Sequence, residues 1–304
     1  MKKSSIVGHI ACAATYFIFG INIVTCRDIA TEGTIPPMVL FTMRALFAGA
    51  LFWIVSLFRP EKVDRVDLLK IAGAGVLGIF LPQVTFLYGI TMTTPVDLSV
   101  VGTITPILTM FAAAIFLKEP ITWKKAIGVA VSFGGVVWLI LQSVSMGGGA
   151  SATKPMGIML CIANCTVFAL YLGTCRPLTT KYTSVTMMKW MFLVSFLLSL
   201  PFTLPQLPTT DFGAVSTKVW LEVGFLILFA TFVAYFLIPI GQKRIRPTLV
   251  SMYGYLQPII ATTAAIATGM DSLTVTKVLS ALLVFTGVYI VNQSKARVQL
   301  PEQE

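Results

Sequence analysis

The sequence predicts an all-α polytopic membrane protein of ten transmembrane helices, arranged as two inverted five-helix repeats. Three observations predict it. First, hydrophobic residues make up 56% of the 304 and charged residues only 11%, with a mean hydropathy of +0.87, where a soluble domain carries about 25% charged residues. One or two globular cores cannot hide so much apolar surface, so much of it must face lipid. Second, ten apolar stretches of about 20 residues recur along the chain, each long enough to cross about 30 Å of hydrocarbon. Third, the chain matches itself when its second half is laid on its first. The composition argues against a soluble enzyme, a secreted domain and a nucleic-acid binder. A net charge of +10 is what basic loops on one side of a membrane produce.

The first span is expected from about Ile6 to Val24. It follows Met1-Lys2-Lys3, and with no A-x-A site at its end it reads as a retained helix rather than a cleaved signal peptide. The next four run from about Pro37 to Phe58, Leu69 to Ile90, Leu98 to Leu117 and Ala126 to Leu141. The last five run from about Met156 to Thr174, Ser184 to Thr203, Val219 to Ile240, Thr248 to Thr268 and Val275 to Asn292. Segments this long satisfy their backbone hydrogen bonds as helices, whereas barrel strands would be half the length and alternate in polarity.

The basic residues set the expected orientation. With the N-terminus inside the cell, the inner segments hold Lys2, Lys3, Arg59, Lys62, Arg65, Lys124, Lys125, Arg176, Lys181, Lys243, Arg244 and Arg246 among others. The outer segments hold Arg27, Lys154, Lys218 and Lys277. Such a bias across short loops predicts a multi-pass protein of the cell (inner) membrane with both termini cytoplasmic. Most of Trp53, Trp123, Trp138, Trp190 and Trp220 fall near predicted span ends, as an aromatic belt requires. The cysteines at 12, 26, 161, 165 and 175 show no metal-binding spacing and read as reduced, small core residues.

A gapless shift that lays Phe80 on Phe232 also lays Gly89, Pro95, Ser99, Gly102, Pro106, Thr122 and Gly135 on Gly241, Pro247, Ser251, Gly254, Pro258, Thr274 and Gly287. A slightly different shift lays Thr25-Cys26-Arg27 on Thr174-Cys175-Arg176. Leu, Val and Ala agree by chance between apolar helices, but shared Pro, Thr and Thr-Cys-Arg do not. An odd number of helices per copy turns the second copy upside down, which is the architecture of secondary transporters. The expected organisation is a first repeat over 1–145, a glycine-rich linker over 146–155, a second repeat over 156–294 and a cytoplasmic tail over 295–304.

Phe19-Gly20-Ile21-Asn22 in span one, Arg44 in span two, the stretch from Ser99 to Pro106 and Phe116-Leu117-Lys118-Glu119 closing span four resemble the EamA family of the drug/metabolite transporter superfamily. The likeness covers nearly the whole chain. It implies transport of small metabolites or amino acids, often as efflux, in a prokaryotic cell membrane. The family's usual Trp before the span-one Gly is Phe19 here, and Asp271 stands in the second half where the first has Glu119.

Several polar residues inside the spans are candidates for binding a substrate. Spans four and nine each carry Gly-x-x-x-Pro, from Gly102 to Pro106 and from Gly254 to Pro258. A mid-helix proline removes the hydrogen bond to the carbonyl four residues back, and a kink results. Those glycines and prolines are expected hinges, with Thr103, Thr105, Tyr255 and Gln257 beside a central cavity. Asn22, Gln83, Asn164, Tyr88, Tyr171 and Tyr235 are further polar groups that either face that cavity or bridge neighbouring helices. Arg44 and Lys189 are the formal charges clearly inside spans, on equivalent helices of the two copies. Arg44 lies too deep to snorkel easily, and with no buried carboxylate to neutralise it, it is expected to meet an anionic or zwitterionic substrate. Glu119 and Asp271 read as acids complementing helix dipoles, or else as gate groups.

Taken together, the sequence points to a secondary transporter of small polar metabolites such as amino acids or related carboxylates, working by alternating access, with export the expected direction. A lipophilic-compound exporter is the alternative, and a non-transporting scaffold or receptor component comes after it. No Asp or Glu lies more than about a turn inside a span, which weakens proton-driven export of cationic drugs. No protease, hydrolase or Walker motif is present, so neither an enzyme nor an ATP-driven pump is expected. The expected partners are a small-molecule substrate and membrane lipid, with no nucleic acid, cofactor or metal.

Overall fold

In a computed structural model that describes residues 2–58, 60–117, 123–145, 153–244, 253–270 and 274–293, the regular elements are all helical. Among the described residues six helices are long and apolar enough to cross a membrane: Ile6–Glu32, Pro37–Leu57, Arg65–Thr91, Pro155–Thr174, Ser184–Thr203 and Thr217–Arg244. They stand where spans one, two, three, six, seven and eight are expected. The other expected places hold Pro95–Gly102 followed by Thr105–Leu117, then Trp123–Ser145, Leu256–Ala267 and Val275–Gln293. Large apolar side chains such as Leu57, Leu69, Ile115 and Leu221 are more than two-thirds exposed, which lipid favours and water penalises. This is an all-α, multi-pass membrane protein.

The helix ends depart from the hydropathy profile for local reasons. Span one runs past Val24 to Glu32, because a helix follows backbone hydrogen bonding, not hydropathy. Its last turn is held by Arg27 Nη1 donating to the Ile90 carbonyl at 2.8 Å and the Thr91 carbonyl at 3.2 Å, and by an ion pair between Asp28 and Lys218. Gly33, at φ 68°, then ends the helix in the left-handed conformation that glycine tolerates. Span four begins before Leu98, at Pro95, because Pro suits the first helical position and the Thr94 hydroxyl accepts from the Asp97 amide.

The packing repeats itself with the copies exchanged. Span one packs on spans eight and nine, and span six, its counterpart, packs on spans three and four. Span two packs on span seven and span five on span ten, each helix on its own counterpart. Single contacts repeat as well. A Cβ at Gly89 would press on the Cys161 sulfur at 3.2 Å, and one at Gly241 would collide with the Cys12 sulfur. Spans three and eight each widen into a π-helical stretch at matching places, Val76–Phe80 and Leu226–Val233. Spans four and nine each lose regular α-geometry just before the proline, at residues 103–104 and at Tyr253–Tyr255. The linker residues 146–152, together with Glu119, Asp271 and the tail, lie outside the described residues.

Loops that should share a side do meet. At the lysine- and arginine-rich end, Lys181 pairs with Asp64 at 2.8 Å and with Asp67 at 2.5 Å, the Tyr182 hydroxyl donates to Asp67 at 2.8 Å, and Lys243 donates to the Tyr182 carbonyl at 2.6 Å. Glu61 there accepts from the Thr183 hydroxyl at 2.7 Å and its amide at 3.1 Å, while Thr183 itself caps span seven. Burial pushes the Glu61 carboxyl up, but hydrogen bonds from Thr186 and Thr183 and the charge of Lys243 outweigh it, and the net shift is down. A depressed carboxyl contributes stability above its unfolded pKa of about 4.3 and loses it as pH falls through the lower folded value. Glu61→Gln should therefore melt below the wild type in detergent at pH 6, and the difference should shrink as the pH falls below about 4.3.

Candidate functional site

A central cavity of about 920 Å³, counting the space that opens to solvent, lies between two three-helix groups, spans one, eight and nine on one side and spans three, four and six on the other. Its wall is built from matched positions of the two copies. Phe19 and Phe168, Gln83 and Tyr235, Gly102 and Gly254, and Thr105 and Gln257 all line it, and each pair consists of counterparts in the internal alignment. Asn22, Thr103 and Asn164 add polar groups, and Tyr16, Pro82, Phe86 and Leu98 add apolar surface. Among the described residues no lysine, arginine, aspartate or glutamate lines it. Aromatic walls with a few amides and hydroxyls make an uncharged site of the size that small solutes occupy.

The polar groups are oriented from behind. Gln83 Nε2 donates to the Tyr235 hydroxyl across the cavity at 2.9 Å. Asn164 Nδ2 donates to the Pro82 carbonyl at 2.6 Å, which leaves its own carbonyl turned from that bond. The Thr103 and Thr105 hydroxyls donate to the carbonyls of Val100 and Gly102, at 2.7 Å and 2.8 Å, so toward a solute they present lone pairs. Thr105 thus satisfies the carbonyl that Pro106 leaves free. Asn22 Oδ1 accepts from the Cys26 thiol at 3.6 Å.

The other candidates stand elsewhere. Arg44 is 1% exposed and lies behind the wall, with Nε donating to the Thr231 hydroxyl at 2.9 Å and Nη1 to the Cys26 sulfur at 3.8 Å. Its Nη2 finds no partner among the described residues. Lys189 sits over the rings of Trp53 and Trp190, at 4.9 Å and 5.8 Å from their centroids, so aromatic faces solvate the cation in place of a carboxylate. Tyr171 is buried against Phe168 and Gly78, and its hydroxyl is unpartnered among the described residues. The side chains of Tyr255 and Pro106 lie outside the described residues, and Pro258 is buried in Leu256–Ala267.

Sequence reasoning missed part of the wall. Cys161 and Cys165 read as core thiols, and nothing in the sequence singles out Tyr16, Phe86 or Phe168, yet all five line the cavity. His9 Nδ1 and the Tyr253 hydroxyl lie at 2.8 Å, a pairing between spans one and nine that sequence separation hides. Position in the duplication was the available signal for Phe168, the counterpart of Phe19.

A Cβ at Gly102 would meet nothing within 4 Å, so packing does not require that glycine. Gly102→Ala should leave expression and melting temperature within about 2 °C of wild type, as a surface-neutral change does. If the residue is a hinge, the same variant transports several-fold more slowly, and an unchanged initial rate removes it from that role.

The EamA-like transporter family matches residues 6–141 and 155–293, one stretch in each half of the chain. Among similar proteins, a Bacillus subtilis protein named uncharacterized transporter YyaM is 28% identical over 274 residues, covering 85% of each chain. A second from that organism, uncharacterized transporter YetK, is 26% identical over 268 residues, covering 86% of this chain and 79% of its own. A Streptantibioticus cattleyicolor protein named "Probable terminal-alkyne amino-acid exporter" is 28% identical over 158 residues, about half of each chain. A solved crystal structure with 17% sequence identity superposes with a TM-score of 0.64 over 95% of this chain and 96% of its own, a likeness of fold. With the family matched across both halves, the chain belongs to the EamA-like transporters.

Proposed function

We propose that this protein is a secondary transporter that exports small polar metabolites of the amino-acid type by alternating access, from the inner membrane and with both termini in the cytoplasm. The observation that carries the reading is the uncharged, amide- and aromatic-lined cavity between two helix groups built from counterpart spans. With no formal charge among the described residues of its wall it favours solutes of zero net charge, so zwitterionic amino acids fit it better than multiply charged carboxylates. The relative named "Probable terminal-alkyne amino-acid exporter" supports that substrate class and the outward direction. The basic loops gathered at one end support the orientation. Export of lipophilic compounds is the second reading, favoured by the Phe19, Phe86 and Phe168 rings in the wall.

The test is counterflow in proteoliposomes loaded with a mixture of neutral amino acids. Saturable exchange that unlabelled neutral amino acids compete away, and glutamate does not, is the expected result. Movement of lipophilic dyes alone supports the second reading, and no movement of either class removes transport through this cavity.

A further inference from the structure

The hydrogen bond between Gln83 and Tyr235 joins one position of the duplication to its own counterpart, since the two residues are 152 apart, the same offset that lays Phe80 on Phe232. A second bond has this property: the Ser132 hydroxyl donates to the Val284 carbonyl at 3.1 Å, also across 152 residues. The two bonds lie on the line that relates the copies, one at the cavity and one where spans five and ten cross.

Alternating access in an inverted-repeat transporter exchanges the conformations of the two copies. A contact between two unlike positions then becomes, in the other state, a contact between their counterparts at the opposite face. Arg27 on the Thr91 carbonyl is of this kind, because its image joins residues 176 and 243. A contact between counterparts maps onto itself, so exchanging the copies leaves it in place. It can neither open one face nor close the other.

The polar inventory of the pair agrees. Gln83 uses its amide hydrogen on Tyr235 and keeps Oε1 buried and unpartnered among the described residues. Tyr235 accepts with its oxygen and donates to no described residue, so its hydroxyl hydrogen is left over. One acceptor and one donor therefore sit side by side in the cavity wall.

We infer that Gln83 and Tyr235 form a clasp that stays closed in both access states, and that its two spare atoms dock one hydrogen-bond donor and one acceptor of the solute. An ammonium on Gln83 Oε1 with a carboxylate oxygen on the Tyr235 hydroxyl meets that requirement. This docking role rests on the transport reading above, whereas the permanence of the clasp is tested without any solute.

The experiment uses the full-length protein in proteoliposomes. Thr91→Cys and Lys243→Cys, counterpart positions at opposite faces, are labelled with a membrane-impermeant maleimide in the wild-type background and with Tyr235→Phe, which keeps the ring and removes the hydroxyl. The clasp predicts that the labelling ratio of the two sites changes by less than about twofold, because losing a bond common to both states favours neither. A shift of fivefold or more toward either face would show a gate made in one state, and overturns the proposal. Uptake of the neutral amino-acid mixture should fall about tenfold in Tyr235→Phe and in Gln83→Met, with the double variant no worse than either, as for a pair that acts as one unit. Additive losses would overturn the shared docking role. If the wild type moves none of the mixture, the amino-acid reading fails, and the labelling ratio still decides the clasp.

Discussion

Arg44→Gln should lower transport by about two orders of magnitude while the protein still reaches the membrane folded, the loss expected when a binding group is displaced by about 1 Å. The guanidinium is buried with no carboxylate partner among the described residues, and glutamine can still donate to the Thr231 hydroxyl. What glutamine cannot do is reach Thr231 and Cys26 together. The chain from Arg44 to the Cys26 sulfur, and from the Cys26 thiol to Asn22 Oδ1, sets the rotamer of an amide in the cavity wall. It also ties that wall to the π-helical stretch of span eight, where Thr231 bonds back to the Leu226 carbonyl at 2.7 Å. Cys26→Ala separates the two ways Arg44 could act. If the arginine positions Asn22, cutting the relay at Cys26 reproduces most of the loss. If it answers a substrate carboxylate directly, Cys26→Ala keeps the wild-type KM and only Arg44→Gln raises it. Unchanged substrate affinity in Arg44→Gln would make the arginine structural.

Gly287→Val should abolish properly assembled protein. Spans five and ten pack closely along Ser132, Gly135, Val284 and Gly287, and a Cβ at Gly287 would collide with the Gly128 carbonyl and with the hydroxyl and amide of Ser132. A backbone cannot yield as a flexible side chain can, so the helices must separate, and helix association in a membrane depends on close backbone approach. A Cβ at its counterpart Gly135 would lie 2.9 Å from the Ser280 carbonyl, so Gly135→Val should fail the same way. Gly134→Ala is the control, since a Cβ there meets nothing within 4 Å. The measurement is the monodisperse fraction in size-exclusion chromatography after mild detergent extraction. A normal profile for Gly287→Val would show that this crossing does not hold the fold.

Much of the architecture is legible in the sequence because it depends on quantities a sequence carries directly. Apolar run length fixes where helices cross, as at Pro37–Leu57 and Ser184–Thr203, and loop charge separates the two ends. The duplication is readable because Pro, Gly and Thr recur at fixed offsets, and polarity within apolar spans singles out Gln83, Thr105 and Asn22 as groups that either face a cavity or bridge helices. Rotation about each helix axis is not readable, since a polar residue within an apolar span can face a cavity, a neighbouring helix or an aromatic ring at similar cost. Packing alone put Asn22 in the wall and Arg44 behind it, laid Lys189 over Trp53 and Trp190, and made Cys161 and Cys165 part of the lining. The exchange of partners between copies, span one on eight and nine against span six on three and four, is likewise a matter of which apolar faces fit. Near-equal hydrophobicity around each helix leaves that choice to shape, and shape exists only once the helices are together.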